Sequence, residues 1–110
     1  MLTSVGVPGA PSGKQPVTGS LTTAGMGDAF EPVTGRPFYV SAWKDGSESG
    51  ECFHLCRSFD GGDTWLVVID EGLPEIQVGT SKSYTSYEHG VVYAVKRLSS
   101  TGTIYYRISQ

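Results

Sequence analysis

Two cysteines and a histidine alternate near the centre of the sequence, as Cys52-x-His54-x-Cys56. Thiolate and imidazole groups are the ligands that zinc prefers, so these residue types alone suggest a metal site. The flanking residues predict a β-strand, however, and alternate residues of a strand lie in a line on one face. Cys52 and Cys56 would then lie about 13 Å apart, too far for a disulfide or for shared coordination of one ion. The pattern therefore predicts two reduced thiols and no metal site.

The other residues that could do chemistry form no catalytic pattern. His54 and His89 are the only histidines, and no Gly-x-Ser-x-Gly elbow supplies a nucleophile. Phosphate-binding loops and dinucleotide fingerprints are absent from the sequence. Four acidic residues stand close together but match no EF-hand loop, and carboxylates in β-turns usually serve the turn: Asp60, Asp63, Asp70 and Glu71. We expect no enzymatic activity, no cofactor and no bound metal.

A turn motif follows the cysteines, with the pattern Ser58-x-Asp60-x-Gly62-x-Thr64-Trp65. It resembles the Asp-box of sialidases and other propeller proteins, where the motif fastens a hairpin away from the catalytic centre. The resemblance implies that Asp60 caps backbone N–H groups, that Gly62 supplies the bend and that Trp65 packs beneath the turn. A propeller needs several blades, far more chain than 110 residues. We therefore expect a structural turn, with Trp65 in the core, and no sialidase activity.

The hairpin around this turn is the centre of the predicted fold. Phe53, Leu55 and Phe59 alternate with polar or smaller residues, and residues 64–69 resume as an aromatic and β-branched run. Eight or nine short segments of this kind recur along the chain at intervals of about 8–12 residues, without an apolar stripe of helical period. The pattern predicts an all-β, antiparallel sandwich of jelly-roll-like topology, with an immunoglobulin-like topology as the alternative.

Length, composition and charge limit the organisation of the chain. With 110 residues, 15 glycines and 6 prolines, we expect one domain over residues 16–110 and an extended N-terminal arm over residues 1–15. The net charge of −3 argues against a nucleic-acid partner, and no segment approaches the ~20 apolar residues of a membrane-spanning helix. Met1–Pro16 lacks the basic start and apolar middle of a signal peptide, so we expect synthesis in the cytoplasm.

Tyrosines are the best candidates for recognition. Tyr84 and Tyr87 lie in a polar segment, and Tyr105 lies in the last predicted strand. Aromatic side chains are enriched at protein–protein interfaces, and they suit a sugar-binding face equally well. We predict that these three residues contribute to an interface.

Four longer motifs carry a resemblance to a known family. They are Gly-Arg-Pro-Phe-x-Val from Gly35 to Val40, Arg-Ser-Phe-Asp-Gly-Gly-x-Thr-Trp from Arg57 to Trp65, Gly-Val-Val-Tyr from Gly90 to Tyr93, and Tyr-Arg-Ile-Ser-Gln from Tyr106 to Gln110. Over residues 17–110 the chain is similar to the small capsid decoration (cement or staple) proteins of short-tailed bacteriophages. The motifs do not extend into the arm over residues 1–15.

This resemblance implies a non-enzymatic virion protein with a jelly-roll-like domain on the outside of the capsid. Its partner would be the major capsid protein, whose neighbouring subunits it would bridge, and it would act as a homodimer. No catalytic residues come with the resemblance. A tail or baseplate component of the virion is one alternative function, and a carbohydrate-binding β-sandwich module is another.

Overall fold

A computed structural model describes residues 15–44, 52–68, 75–98 and 102–110 of the chain. These ranges contain nine β-strands and no helix, which confirms the all-β class. The strands are β1 Val17–Leu21, β2 Gly25–Met26, β3 Pro37–Lys44, β4 Cys52–Ser58, β5 Leu66–Val67, β6 Glu75–Gln77, β7 Ser81–Thr85, β8 Val92–Arg97 and β9 Ile104–Ser109. Of the predicted N-terminal arm, residues 1–14 lie outside the described residues. No helix long and apolar enough to cross a membrane is found in the described ranges.

The strands form two antiparallel sheets that pack face to face as a β-sandwich. The first sheet has the order β1-β9-β3-β7. The second has the order β2-β8-β4, and both β5 and β6 pair with the edge of β4 that β8 leaves free. Successive strands change sheet at every connection except those from β4 through β5 to β6.

The order of the strands distinguishes between the two predicted topologies. With β5 and β6 counted as one interrupted strand, the two sheets have the strand orders of an eight-stranded jelly roll. In an immunoglobulin-like sandwich the first two strands pair within one sheet, whereas here β1 and β2 belong to different sheets. The topology is therefore that of the jelly roll.

Alternation along the strands builds the core between the sheets. On β3, Phe38, Val40 and Ala42 are buried while their neighbours face outward, as the period of two requires. The buried apolar cluster draws on both sheets and on the connections between them: Phe30, Phe38, Val40, Ala42, Phe53, Leu55, Ile76, Val78, Val91, Tyr93, Val95, Ile104, Tyr106 and Ile108. The same alternation buries Tyr93 and Val95 of β8 and Ile104, Tyr106 and Ile108 of β9.

A charged side chain also lies inside the sandwich. Arg97 continues the inward-facing series of β8 after Tyr93 and Val95, and it is completely buried. Its Nη1 atom donates to the carbonyl of Leu21 at 2.5 Å and to that of Gly102 at 2.6 Å. The guanidinium therefore ties the end of β1 to the approach to β9, where a shorter apolar residue would leave both carbonyls without this donor.

Two aromatic residues of the central hairpin lie outside the core, contrary to expectation. Phe59 is 50% exposed because β4 ends at Ser58 and the turn carries the next residue past the end of the sheets. Trp65 is only partly buried and does not belong to the core cluster. Its ring lies against the turn instead, so close that an added Cβ on Gly62 would be 3.5 Å from its Cζ2 atom. The prediction that Trp65 is a core residue is wrong.

Candidate interaction surfaces

The outer face of the first sheet carries a cluster of aromatic rings. Alternation turns Tyr39 and Trp43 of β3 away from the core, where they are 51% and 40% exposed. The antiparallel register places Trp43 opposite Tyr105 of β9. Their rings stack with centroids 6.0 Å apart and planes inclined by 24°. Two strands distant in sequence thus combine to form one exposed aromatic platform.

A basic residue completes this cluster, and small polar residues surround it. Arg107 faces outward from β9, two residues beyond Tyr105, with Ser41 beside it on one side and Thr18 on the other. Neighbouring outward-facing positions hold short side chains, Ser20 of β1 and Ser81 and Ser83 of β7. We call Tyr39, Trp43, Tyr105 and Arg107 the aromatic patch. Trp, Tyr and Arg are the residue types that most often dominate the energy of protein–protein interfaces.

The three tyrosines predicted to form an interface lie in three different places. Tyr105 belongs to the aromatic patch. Tyr84 is opposite Phe38 in the register, faces inward and packs against the core with its ring 6.2 Å from that of Phe38. Tyr87 stands in the connection between β7 and β8 and is 83% exposed. Sequence reasoning missed Tyr39 and Trp43 as surface neighbours of Tyr105, because only the register brings β3 beside β9. It also missed Arg107, although the period of two places it on the same face of β9 as Tyr105.

The Asp-box-like turn is held by hydrogen bonds among its own residues. Ser58 Oγ donates to Asp60 Oδ1 at 2.6 Å and accepts the N–H of Gly62 at 2.9 Å. The N–H of Thr64 donates to the same Asp60 oxygen at 2.8 Å. Gly61 and Gly62 have φ of 76° and 108°, a region that favours glycine. The hydrogen bond from Ser58 and then that from Thr64 lower the pKa of Asp60 to about 2.

The cysteine–histidine stretch lies on the outer face of the second sheet. Cys52, His54 and Cys56 alternate along β4 on the side away from Phe53 and Leu55, and neither thiol is in a disulfide. Within the described ranges, no three His, Cys, Asp or Glu side chains converge as metal ligands would. Burial raises the pKa of the Cys56 thiol, and the positive charge of Lys96 opposes that shift. His54 Nε2 is buried and has no hydrogen-bond partner in the described structure.

The second histidine, His89, lies within hydrogen-bond distance of a hydroxyl group, a pairing that is also found in hydrolase active sites. His89 Nδ1 lies 3.1 Å from Thr34 Oγ1 on the exposed surface. An activated hydroxyl nucleophile needs a third group that orients the base. No further hydrogen bond of the His89 ring is found in the part of the chain that the structure describes. The contact joins the β2–β3 connection to the turn before β8.

A cleft opens at the end of the sandwich where the Asp-box-like turn lies. It has a volume of about 450 Å³, and its lining includes Arg57, Phe59, Tyr87, Glu88 and Tyr93. The Arg57 guanidinium carbon lies 5.5 Å from the centroid of the Phe59 ring, a cation–π contact. Tyr93, only 5% exposed, packs against Phe38 behind the cleft. This cleft combines exposed rings with charged groups.

These surfaces present groups suited to binding: a flat aromatic patch on one sheet and a polar cleft at one end of the sandwich. The two sites lie on different parts of the molecule, so substitutions in one can serve as controls for the other. Comparison of the chain with protein-family models, with curated proteins and with solved structures finds no match.

Proposed function

We propose that this chain is a non-enzymatic structural protein of a bacteriophage virion. It binds the outside of the capsid and staples neighbouring major capsid subunits together, which stabilises the shell. The observation that supports this most directly is the aromatic patch on the outer face of the first sheet. The resemblance of four sequence motifs to capsid decoration proteins indicates the partner.

The chemistry of the patch suits docking on a protein surface. Trp43 and Tyr105 already stack on each other, so little side-chain freedom remains to be lost when a partner covers them. Arg107 can donate several hydrogen bonds to carbonyl or carboxylate groups of a partner. The surrounding serines and threonines can exclude water at the rim, which strengthens the contacts at the centre.

Stapling requires that one particle-bound unit hold two capsid subunits at once. A homodimer with a two-fold axis would present two identical aromatic patches, one to each neighbouring subunit. Engagement of both patches raises the overall avidity even if each contact alone is weak. A compact domain that makes modest contacts can therefore hold a repeating lattice together.

The experiment uses capsids assembled without this protein and the purified chain added back. Wild type and the double variant Trp43→Ala, Arg107→Ala are titrated onto the shells, and bound protein is measured after sedimentation. We expect at least about tenfold weaker retention of the double variant, since interface aromatics and arginines often contribute more than 2 kcal/mol. Tyr87→Ala, which changes an exposed ring at the other site, should be retained like wild type.

Both variants must first keep the melting temperature of the isolated domain, which circular dichroism reports. Particles lacking the protein should rupture at lower temperature and under milder osmotic shock than complete particles. Equal robustness of the two kinds of particle would contradict the stapling role. Imaging that places the protein on the tail would instead favour the tail or baseplate alternative.

A further inference from the structure

The cleft at the end of the sandwich is open to solvent and lies where β4 and β8 pair. Arg57 and Tyr93 are register partners on β4 and β8. Arg57 has the same inward parity as Phe53 and Leu55, yet its side chain is exposed. The connection after β7 supplies the opposite wall of the cleft, including Tyr87. The volume of about 450 Å³ falls within the range of small-ligand sites.

Aromatic rings at this cleft remain available for stacking. Tyr87 is 83% exposed and Phe59 is 50% exposed. Arg57 lies over one face of the Phe59 ring, so Tyr87 is the ring that a ligand can cover without displacing the guanidinium. A ligand that covered the Tyr87 ring would remove its apolar area from water, which favours binding. A flat ring with an apolar face matches the C–H face of a pyranose.

The polar groups of the cleft include both donors and acceptors. Arg57 makes no ion pair in the described structure, so its N–H groups can donate to a ligand. Glu88 offers a carboxylate that accepts, and Thr85 offers a hydroxyl that can do both. A sugar hydroxyl donates one hydrogen bond and accepts others. Of two adjacent hydroxyls, one can therefore accept from the Arg57 guanidinium while the other donates to the Glu88 carboxylate. The one cation and the one carboxylate among the described lining residues, Arg57 and Glu88, balance each other, which favours a neutral ligand over an anion.

We propose that this cleft binds a neutral saccharide, with a pyranose face against Tyr87 and its hydroxyls directed to Arg57 and Glu88. The site binds without hydrolysing, because glycoside hydrolysis ordinarily uses two carboxylates and Glu88 is the one carboxylate among the described lining residues. The proposal is independent of capsid stapling, which uses the outer face of the first sheet. Neutral O-chain polysaccharides and the N-acetylglucosamine units of peptidoglycan strands both present such a pyranose face.

The first experiment titrates the isotope-labelled full chain with four free sugars and follows the backbone amide signals by NMR. The sugars are glucose, galactose, mannose and N-acetylglucosamine, and sorbitol is the polyol control without a ring. We expect at least one sugar to give saturable shifts at residues 57–59 and 85–88, with no such response to sorbitol. Tyr87→Ala should weaken that binding at least about tenfold, which corresponds to about 1.4 kcal/mol. Tyr39→Ala should leave the binding unchanged.

The second experiment distinguishes between the two sources of the saccharide, surface polysaccharide and peptidoglycan. Wild type and Tyr87→Ala are passed over immobilised lipopolysaccharide O-chains and over immobilised peptidoglycan glycan strands. Retention of wild type with loss of Tyr87→Ala on either surface supports the proposal and assigns the source. If none of the four sugars and neither polysaccharide binds, or if Tyr87→Ala binds as well as wild type, the proposal is wrong.

Discussion

The side chain of Gln110 binds the backbone of Val33 in both directions. Gln110 Oε1 accepts the Val33 N–H at 2.7 Å, and Gln110 Nε2 donates to the Val33 carbonyl at 3.1 Å. The same Nε2 atom donates to the Arg36 carbonyl at 3.0 Å. One amide, just past the end of β9, therefore holds the connection that carries the chain from the second sheet to the first.

Replacing Gln110 with Glu tests this clamp. The carboxylate retains an acceptor for the Val33 N–H but places a second oxygen against the carbonyls of Val33 and Arg36. Because two hydrogen bonds are lost and the oxygens repel each other, we expect about 1–3 kcal/mol lower free energy of unfolding. Denaturant titration measures the change. Gln77→Glu, an exposed position on β6, is the matched control and should change stability by less than about 0.5 kcal/mol.

Two glycines leave room for the buried ring of Tyr106. A Cβ added to Gly19 would lie 2.5 Å from the Tyr106 hydroxyl oxygen, and one added to Gly27 would lie 2.6 Å from Tyr106 Cζ. That hydroxyl accepts the N–H of Asp28 at 2.9 Å. We expect Gly19→Ala and Gly27→Ala each to destabilise the domain by about 1–3 kcal/mol through overpacking. Ser20→Ala, exposed on the same strand as Gly19, should be nearly neutral.

A double-mutant cycle with Tyr106→Phe sharpens this prediction. Removing the hydroxyl removes the nearest contact of the Gly19 Cβ but leaves that of the Gly27 Cβ, which is a ring carbon. Tyr106→Phe should therefore rescue Gly19→Ala more than Gly27→Ala. Equal rescue of both, measured by denaturant unfolding, would show that the hydroxyl is not the obstacle at Gly19.

The buried Arg97 should be essential to stability. Arg97→Met retains much of the apolar stem but removes the donors to the Leu21 and Gly102 carbonyls. Because hydrogen bonds to charged groups contribute about 1.5–3 kcal/mol, we expect a loss in that range or above it. Lys96→Met, on the exposed face of the same strand, is the control and should shift the melting temperature little. A melting temperature of Arg97→Met equal to that of wild type would contradict the role of these hydrogen bonds.

The turn carboxylate Asp60 should make stability depend on pH in the acid range. Its folded pKa, about 2, lies below its ordinary value of 3.8, so between these values the unfolded chain binds more protons than the folded one. The contribution of Asp60 is therefore fully present above that ordinary value and is lost as pH falls through the folded pKa. Melting temperatures of wild type and Asp60→Asn should converge as the pH falls towards about 2. Asp63→Asn, which removes a charge from the same turn, is the matched control.

The sequence by itself determined the secondary structure and the class of the fold. The period-two pattern of Phe38, Val40 and Ala42 places one face of β3 in the core, because a strand alternates its side chains whatever its partners are. Gly61 and Gly62 predict a reversal, because glycine adopts positive φ without steric cost. These features are local in the chain, so propensity and pattern are enough to predict them.

Only the tertiary structure decided the jelly-roll order and the composition of the two candidate sites. Trp43 lies opposite Tyr105, and Arg57 lies opposite Tyr93, because strands far apart in sequence pair in these registers. Local patterns cannot specify which strands become neighbours, because jelly-roll and immunoglobulin-like sandwiches have the same alternation. Trp65 has the large apolar side chain typical of a core residue, yet it lies against its turn. Whether such a side chain reaches the core depends on where its strand ends relative to the packed sheets, which the local pattern does not specify.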